Sequence, residues 1–261
     1  MGGKITAVSV LRTSVGRRGN YGVDTPMVPA VQAFIAIMLI QIGIQQTSGK
    51  DGNSQGWWAI GSGAILLGIA LLYLHATRRG KFIAWSRALG EMALKGDEEV
   101  LDLATGRGSV ATLAAARVPR GKVTGVDTWN TRSRIGGNRK GEPEDVIARR
   151  NAELEGVKVE FKPGDIRKLG LPGNQYDLVT SNLGVGSLNR MEERDDAIAE
   201  AVRVCKPGGR LAIADTNFTA QVAKRLTDLG MQDVTTESMG WEAWYGGPWR
   251  PTKLVSARKP R

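Results

Sequence analysis

Three groups of residues in this chain have the types and spacing to grip a nucleoside. Asp102 lies near the end of an apolar run, Glu99-Val100-Leu101-Asp102-Leu103, which passes into Ala104-Thr105-Gly106-Arg107-Gly108-Ser109. A second apolar run, Lys122 to Val126, ends on Asp127. Glycines let backbone approach a ligand closely, the start of the following helix offers unpaired N–H groups, and a carboxylate at a strand end can accept hydrogen bonds from ribose hydroxyls. Asp102 with the glycines of the loop, Gly106 and Gly108, is therefore a candidate for one half of a nucleoside site, and Asp127 for its ribose.

Two ligands compete for this arrangement. Gly106 to Ala111 satisfies G-x-G-x-x-A with an acid about twenty residues on, the dinucleotide fingerprint. Asp102 points elsewhere: a carboxylate just before the loop repels a pyrophosphate at close range and suits a ligand with a cationic end. S-adenosylmethionine carries an ammonium and a sulfonium and no phosphate. An NAD(P)-dependent oxidoreductase is the alternative, although neither Tyr176 nor Tyr245 is followed four residues later by lysine. A non-catalytic membrane scaffold retaining the nucleoside fold is a third reading, against which the intact Asp102, Asp127 and Asp165 set argues.

Later segments carry a family likeness. Val159 to Leu169 (VEFKPGDIRKL), Tyr176 to Asn182 (YDLVTSN) and Ala201 to Asp215 (AVRVCKPGGRLAIAD) follow in order. With the glycine loop, this series resembles class I S-adenosylmethionine-dependent methyltransferases, nearest to the ubiquinone and menaquinone biosynthesis type, over about residues 82–261. The resemblance implies that Asp102 lies near the methionyl ammonium and that Thr105, Gly106 and Gly108 line the loop. It implies Asp127 on the ribose with Thr128 beside it, Asp165 and Ile166 at the adenine, and Ser181 and Asn182 on the methionyl side facing the acceptor. Trp129 either packs beside the nucleoside or beneath the insert that follows it. Two departures stand out. Ala104 replaces the usual first loop glycine, expected to be mild because it adds only a methyl. A cationic, glycine-rich insert, Trp129 to Glu142, reads as a solvated loop or as a lid or headgroup contact.

The chemistry asked of the chain is modest. A sulfonium-activated methyl needs alignment and exclusion of water rather than a universal base. The single histidine, His75, lies outside the domain, so a released proton must go to a carboxylate, to Tyr245 or to water, unless the acceptor arrives ionised, as a thiol could. One Cys and one His offer no metal-ligand spacing. No catalytic residue is assigned from sequence.

The chain has 261 residues and a net charge of +10, with eight basic and two acidic residues among the first 81. The remaining excess is too small to suggest nucleic acid. Cys205 alone excludes an internal disulfide, fits a reducing compartment and reads as a buried structural thiol.

Residues 26–47 and 56–74 contain no charged side chain. Each apolar stretch of about eighteen residues reaches roughly 27 Å as a helix, enough for a thin hydrocarbon core. Trp57, Trp58 and Tyr73 fall where interface aromatics belong, and Gly61, Ala64 and Gly68 form a small-residue face for another helix. Arg17 and Arg18 before the pair, and Arg78, Arg79 and Lys81 after it, place both termini and the catalytic domain in the cytoplasm. The expected division is residues 1–80 as a two-pass membrane anchor, with helices near 27–45 and 56–75, and 81–261 as the catalytic domain. A hairpin dipping into one leaflet is the other membrane-bound form. Every nucleoside candidate lies at or beyond Asp102, so residues 1–80 are expected to be dispensable for donor binding.

From Lys81 to Leu94 an amphipathic helix presents Phe82, Trp85, Leu89 and Met92 on one face. Strands are expected near 99–104, 122–127, 158–162, 176–181 and 210–215, with helices near 109–117, 143–155, 192–204 and 219–229. Residues 233–237 and 253–257 resemble a closing antiparallel hairpin. The fold class is α/β: a doubly wound, mostly parallel seven-stranded sheet preceded by two transmembrane helices. The tail Gly240 to Trp249 holds three tryptophans and a tyrosine, suited to wall an apolar pocket or rest at a membrane surface. The expected partners are a small, lipophilic acceptor and membrane lipids.

Overall fold

The computed structural model describes residues 18–48, 54–129, 142–245, 247 and 249–261. The insert at 130–141, the inter-helix loop at 49–53, Arg17, Gly246 and Pro248 lie outside the described residues.

Uninterrupted apolar sequence folds first into a helical hairpin, α1 (Met27–Thr47) and α2 (Gln55–His75). At about 1.5 Å per residue each 21-residue helix is about 31 Å long, close to a bilayer's hydrocarbon thickness. The two helices meet through Pro29, Ala36 and Gly43 on one side and Gly56, Gly63 and Ala70 on the other, each set repeating every seven residues. A Cβ on Gly63 would lie 2.7 Å from the Ala36 carbonyl, and one on Gly43 would lie 2.5 Å from that of Gly56, so glycine permits the approach. Gly61 and Gly68, on the face expected to receive a helix, look onto open space. Phe34, Ile65, Leu71, Trp57 and Trp58 are exposed.

Helix α2 does not stop at the hairpin's foot. It passes through a π-helical turn, Ala76–Gly80, into α3 (Lys81–Glu91). A Cβ on Gly80 would sit 1.6 Å from the Glu242 carbonyl oxygen, so this residue fixes the helix against the 3₁₀ turn Trp241–Ala243. Phe82, Trp85, Leu89 and Met92 are all buried, as their spacing predicts.

Strands and helices then alternate: β1 (Glu99–Leu103), α4 (Ser109–Ala115), β2 (Lys122–Asp127), α5 (Glu144–Glu155), β3 (Glu160–Pro163), β4 (Tyr176–Asn182), α6 (Met191–Val204), β5 (Cys205–Asp215), α7 (Thr219–Asp228), β6 (Gln232–Ser238) and β7 (Lys253–Arg258). They form one seven-stranded sheet in the order β3-β2-β1-β4-β5-β7-β6. The first five strands pair in parallel, while β7 is antiparallel to both β5 and β6. Val100, Val110, Leu113 and Trp85 pack in one apolar cluster; Leu101, Leu103, Ile198, Leu211 and Ile213 pack in the other. Strand β5 begins earlier than expected, because Cys205 pairs with Tyr176 before a register shift. Burial pushes the Cys205 thiol up to about 12, consistent with an inert structural role.

The chain ahead of α1 is part of this body. Tyr21 stacks edge-on against Phe82 at 4.9 Å, and its hydroxyl lies 3.1 Å from Thr112 Oγ1. The Asn20 N–H donates to Asn151 Oδ1 at 2.7 Å. A boundary drawn at residue 80 therefore cuts through packed contacts between the strap 18–25 and the sheet domain.

Candidate active site

Parallel strands deliver their carboxyl ends to one edge of a sheet, and β1, β2 and β4 deliver Asp102, Asp127 and Asn182 there. Two cavities open along that edge, sharing Ala104. The first, 280 Å³, is lined by Asp102, Thr105, Gly106 and Asn182 among others. The second, 330 Å³, is lined by Asp127, Thr128, Asp165 and Ile166 among others. The structure thus gathers eight of the eleven sequence-derived candidates around one divided cleft.

Asp102 is 2% exposed and accepts hydrogen bonds from Thr105 Oγ1 at 2.6 Å and Thr180 Oγ1 at 2.7 Å. Burial pushes its carboxyl up to about 6 against the pull of these two hydroxyls. A buried carboxylate facing a cavity beside a glycine loop has the charge to attract a cation. Asp127 is held by two backbone donors, Gly106 N–H on Oδ2 at 2.8 Å and Trp129 N–H on Oδ1 at 3.0 Å. Each oxygen keeps a further lone pair for a hydroxyl. Asp165 is gripped by Arg167, whose Nη2 lies 2.6 Å from Oδ2, and this contact holds its carboxyl below the usual range. Ile166 is buried beside it.

Three candidates sit elsewhere. Ser181 is fully buried and donates to the Leu103 carbonyl at 3.3 Å, inside the sheet rather than at the cavity. Gly108 is the N-cap of α4 with φ +79°, where a Cβ would meet Phe161 at 2.9 Å. Trp129 adopts φ +42°, and its indole N–H donates to the Gly106 carbonyl at 2.9 Å while its ring meets Phe161 edge-on. It braces the glycine loop from outside and lines neither cavity.

Ala104 is less innocent than its extra methyl suggests. It adopts φ +51°, a left-handed conformation that costs a non-glycine residue about 1–2 kcal/mol. Its methyl also leaves no room opposite, since a Cβ on Gly184 would lie 2.5 Å from it.

Sequence reasoning missed one wall. The strap residues Tyr21, Gly22, Asp24 and Thr25, together with Lys81, line the first cavity. Gly22 has φ +69°, a conformation that favours glycine, and a Cβ there would lie 2.4 Å from Arg107 Nη1, so any larger residue would strain the backbone and displace the guanidinium. The Asn182 amide oxygen accepts from Trp85 Nε1 at 2.8 Å, tying β4 to α3 at the same point. The one available signal was that Asp24 is the sole acid before residue 51 and directly precedes an apolar helix. Tyr245, one of several proton acceptors left open by the sequence, is instead a donor: burial and the neighbouring Asp24 raise its phenol well above the usual value, so it stays protonated.

Comparisons with known proteins agree with this geometry. A family described as a methyltransferase domain matches residues 94–246. The demethylmenaquinone methyltransferase of Thermus thermophilus is 33% identical over 137 residues, 52% of this chain and 56% of that protein. A ubiquinone/menaquinone biosynthesis C-methyltransferase of Pseudomonas putida is 32% identical over 133 residues, 50% of this chain and 47% of its own. The chain thus spans about half the length of the curated relatives it matches. A putative methyltransferase of Bacillus halodurans superposes with a TM-score of 0.51 at 21% identity, covering 68% of this chain and 99% of that one. A SAM-dependent methyltransferase of Aquifex aeolicus gives 0.51 at 23%, covering 67% and 88%. At these identities the structural likeness establishes the fold. With residues 94–246 matched, more than half of its length, the chain belongs to the methyltransferase-domain family.

Proposed function

We propose that this protein is a membrane-anchored methyltransferase that moves a methyl group from S-adenosylmethionine to a small, lipophilic acceptor of the dihydroxy-aromatic class. The observation that carries the reading is the unbroken helical run from α2 into α3. The helix of membrane-crossing length continues into the cleft and brings Lys81 to the wall of the first cavity. Aromatic side chains mark both ends of the hairpin. Trp57 and Trp58 are exposed near the start of α2, and at its foot His75 stacks on the exposed Trp241 at 5.2 Å. Seventeen residues from Trp58 to His75 span about 26 Å, the separation expected of two interfacial belts. Residues 27–75 then form the membrane unit, and the strap 18–25 belongs with the catalytic domain. The names of the curated relatives, which refer to quinone biosynthesis, support the acceptor class.

When bound, S-adenosylmethionine supplies a methyl carbon already activated by sulfonium charge. The chain's residues fit it: Asp102 and the Thr105–Gly106 loop receive the ammonium end, Asp127 accepts from the ribose hydroxyls, and Asp165 with Ile166 borders the adenine. Tyr21 and Leu183 line the first cavity beside Asp102 and the loop, adding apolar wall next to the ammonium end. Titration calorimetry of the detergent-solubilised chain tests the donor. Binding of S-adenosylmethionine and S-adenosylhomocysteine with none of NAD is expected; binding of NAD alone would overturn the assignment.

A further inference from the structure

The strap brings into the cleft a carboxylate that the domain's own motifs do not supply. Asp24 Oδ2 accepts from Thr77 Oγ1 at 2.8 Å, Lys81 Nζ at 3.0 Å and the Tyr245 hydroxyl at 3.0 Å. Its backbone is fixed as well: the Tyr73 hydroxyl donates to the Asp24 carbonyl at 2.8 Å, and the Asp24 N–H donates to Thr77 Oγ1 at 2.7 Å. Residues from the strap, from the helical run and from the segment between β6 and β7 thus converge on one side chain. Oδ2 is saturated by three donors, whereas among the described residues Oδ1 accepts only from Lys81 Nζ, at 3.1 Å. The Asp24 side chain keeps 30% exposure and lines the first cavity with Lys81, whose own side chain is 5% exposed.

The other carboxylates of that cavity are engaged otherwise. Asp102 is enclosed by two threonine hydroxyls, and Glu144 pairs with Arg107 at 3.3 Å. We propose that Asp24 is the general base of the methyl transfer, its Oδ1 taking the proton released by the acceptor while Lys81 balances the charge. The inference rests on the methyltransferase reading above. In the step, the acceptor's nucleophilic atom bonds to the methyl carbon and its own proton passes to Asp24 Oδ1. The electron pair of the breaking C–S bond returns to sulfur, which leaves as a neutral thioether, and Asp24 later yields the proton to water. Lys81 and the hydroxyls of Thr77 and Tyr245 face Asp24, with Tyr73 at its backbone; Asp102, Arg107 and Glu144 stand across the cavity.

The test uses the full chain in phosphatidylglycerol vesicles, labelled S-adenosylmethionine and a prenylated naphthohydroquinone without a ring methyl group. The parent's kcat/KM should rise with pH through a single-proton limb. Asp24→Asn should lower kcat by about 100-fold or more and abolish the limb, while calorimetric donor affinity changes far less than kcat. Asp24→Glu should restore part of the rate. Tyr245→Phe should lower kcat, because the carboxylate loses a donor that fixes its orientation. A folded Asp24→Asn chain that keeps both limb and rate overturns the proposal. If that variant melts early, the parent's own profile decides, and a kcat/KM that does not rise with pH is fatal. A parent that binds no donor and transfers no methyl sinks the underlying reading instead, and the base with it.

Discussion

Asp102→Asn should bind S-adenosylmethionine about 10- to 100-fold more weakly than the parent, yet melt at no lower temperature at neutral pH. The affinity loss follows from removing one charge-assisted contact, about 1.5–3 kcal/mol. The stability expectation follows from the direction of the pKa. The Asp102 carboxyl titrates near 6 in the folded chain, above its ordinary 3.8, because burial disfavours the ionised form. The folded state therefore holds this proton more tightly than the unfolded state. Burying the ionised form costs at most about 3 kcal/mol above pH 6, and that cost fades as pH falls from about 6 towards 3.8. Asparagine never carries the cost, so the variant should lack the parent's relative gain on acidification. The parent's donor affinity should also fall below about pH 6, as protonation removes the ammonium's partner. Calorimetry and thermal melting at two pH values check both statements. Unchanged donor affinity in Asp102→Asn would remove Asp102 from the site.

Excising the hairpin should separate membrane delivery from catalysis. Residues on either side of it meet at its foot, where the Tyr73 hydroxyl lies 2.8 Å from the Asp24 carbonyl oxygen. Residues 27–72 can therefore be replaced by about four glycines, each spanning up to about 3.5 Å, with the strap, Tyr73, Thr77 and Lys81 left in place. The product should be soluble and should bind the donor as the parent does. Turnover of a vesicle-dissolved hydroquinone should fall by about 100-fold or more, because surface confinement no longer raises the encounter concentration. Turnover of a tail-less, water-soluble hydroquinone should hardly change. Equal loss on both acceptors would show that the hairpin supports the cleft itself. Deleting residues 1–80 is a different experiment, because it removes Tyr21, Asp24 and Thr77 and with them one wall of the first cavity.

The alternation of apolar strands with amphipathic helices made the sheet legible, since each element's pattern is local. The placement of Asp102 and Asp127 followed from the same pattern, which fixes both near strand ends. The strap was not legible. Asp24 and Tyr245 meet across 221 positions, and no local periodicity records a contact of that range. The hairpin shows a related limit. Gly61, Ala64 and Gly68 are as small as Gly56, Gly63 and Ala70, but the choice of face depends on Ala36 and Gly43 of the other helix. Trp129 turned away from the cavities for a reason invisible in its neighbours, a left-handed backbone held by its own indole N–H on Gly106. Ala104 was misjudged because side-chain size was weighed without its φ of +51°.

The central claim is methyl transfer to an acceptor that resides in the bilayer. The full chain, reconstituted into vesicles carrying the prenylated naphthohydroquinone, is supplied with methyl-labelled S-adenosylmethionine, and the lipid phase is extracted and counted. Label is expected in a methylated hydroquinone, with S-adenosylhomocysteine formed in equal amount. Donor binding without any label in the lipid phase, from this acceptor or from a total membrane extract, would contradict it.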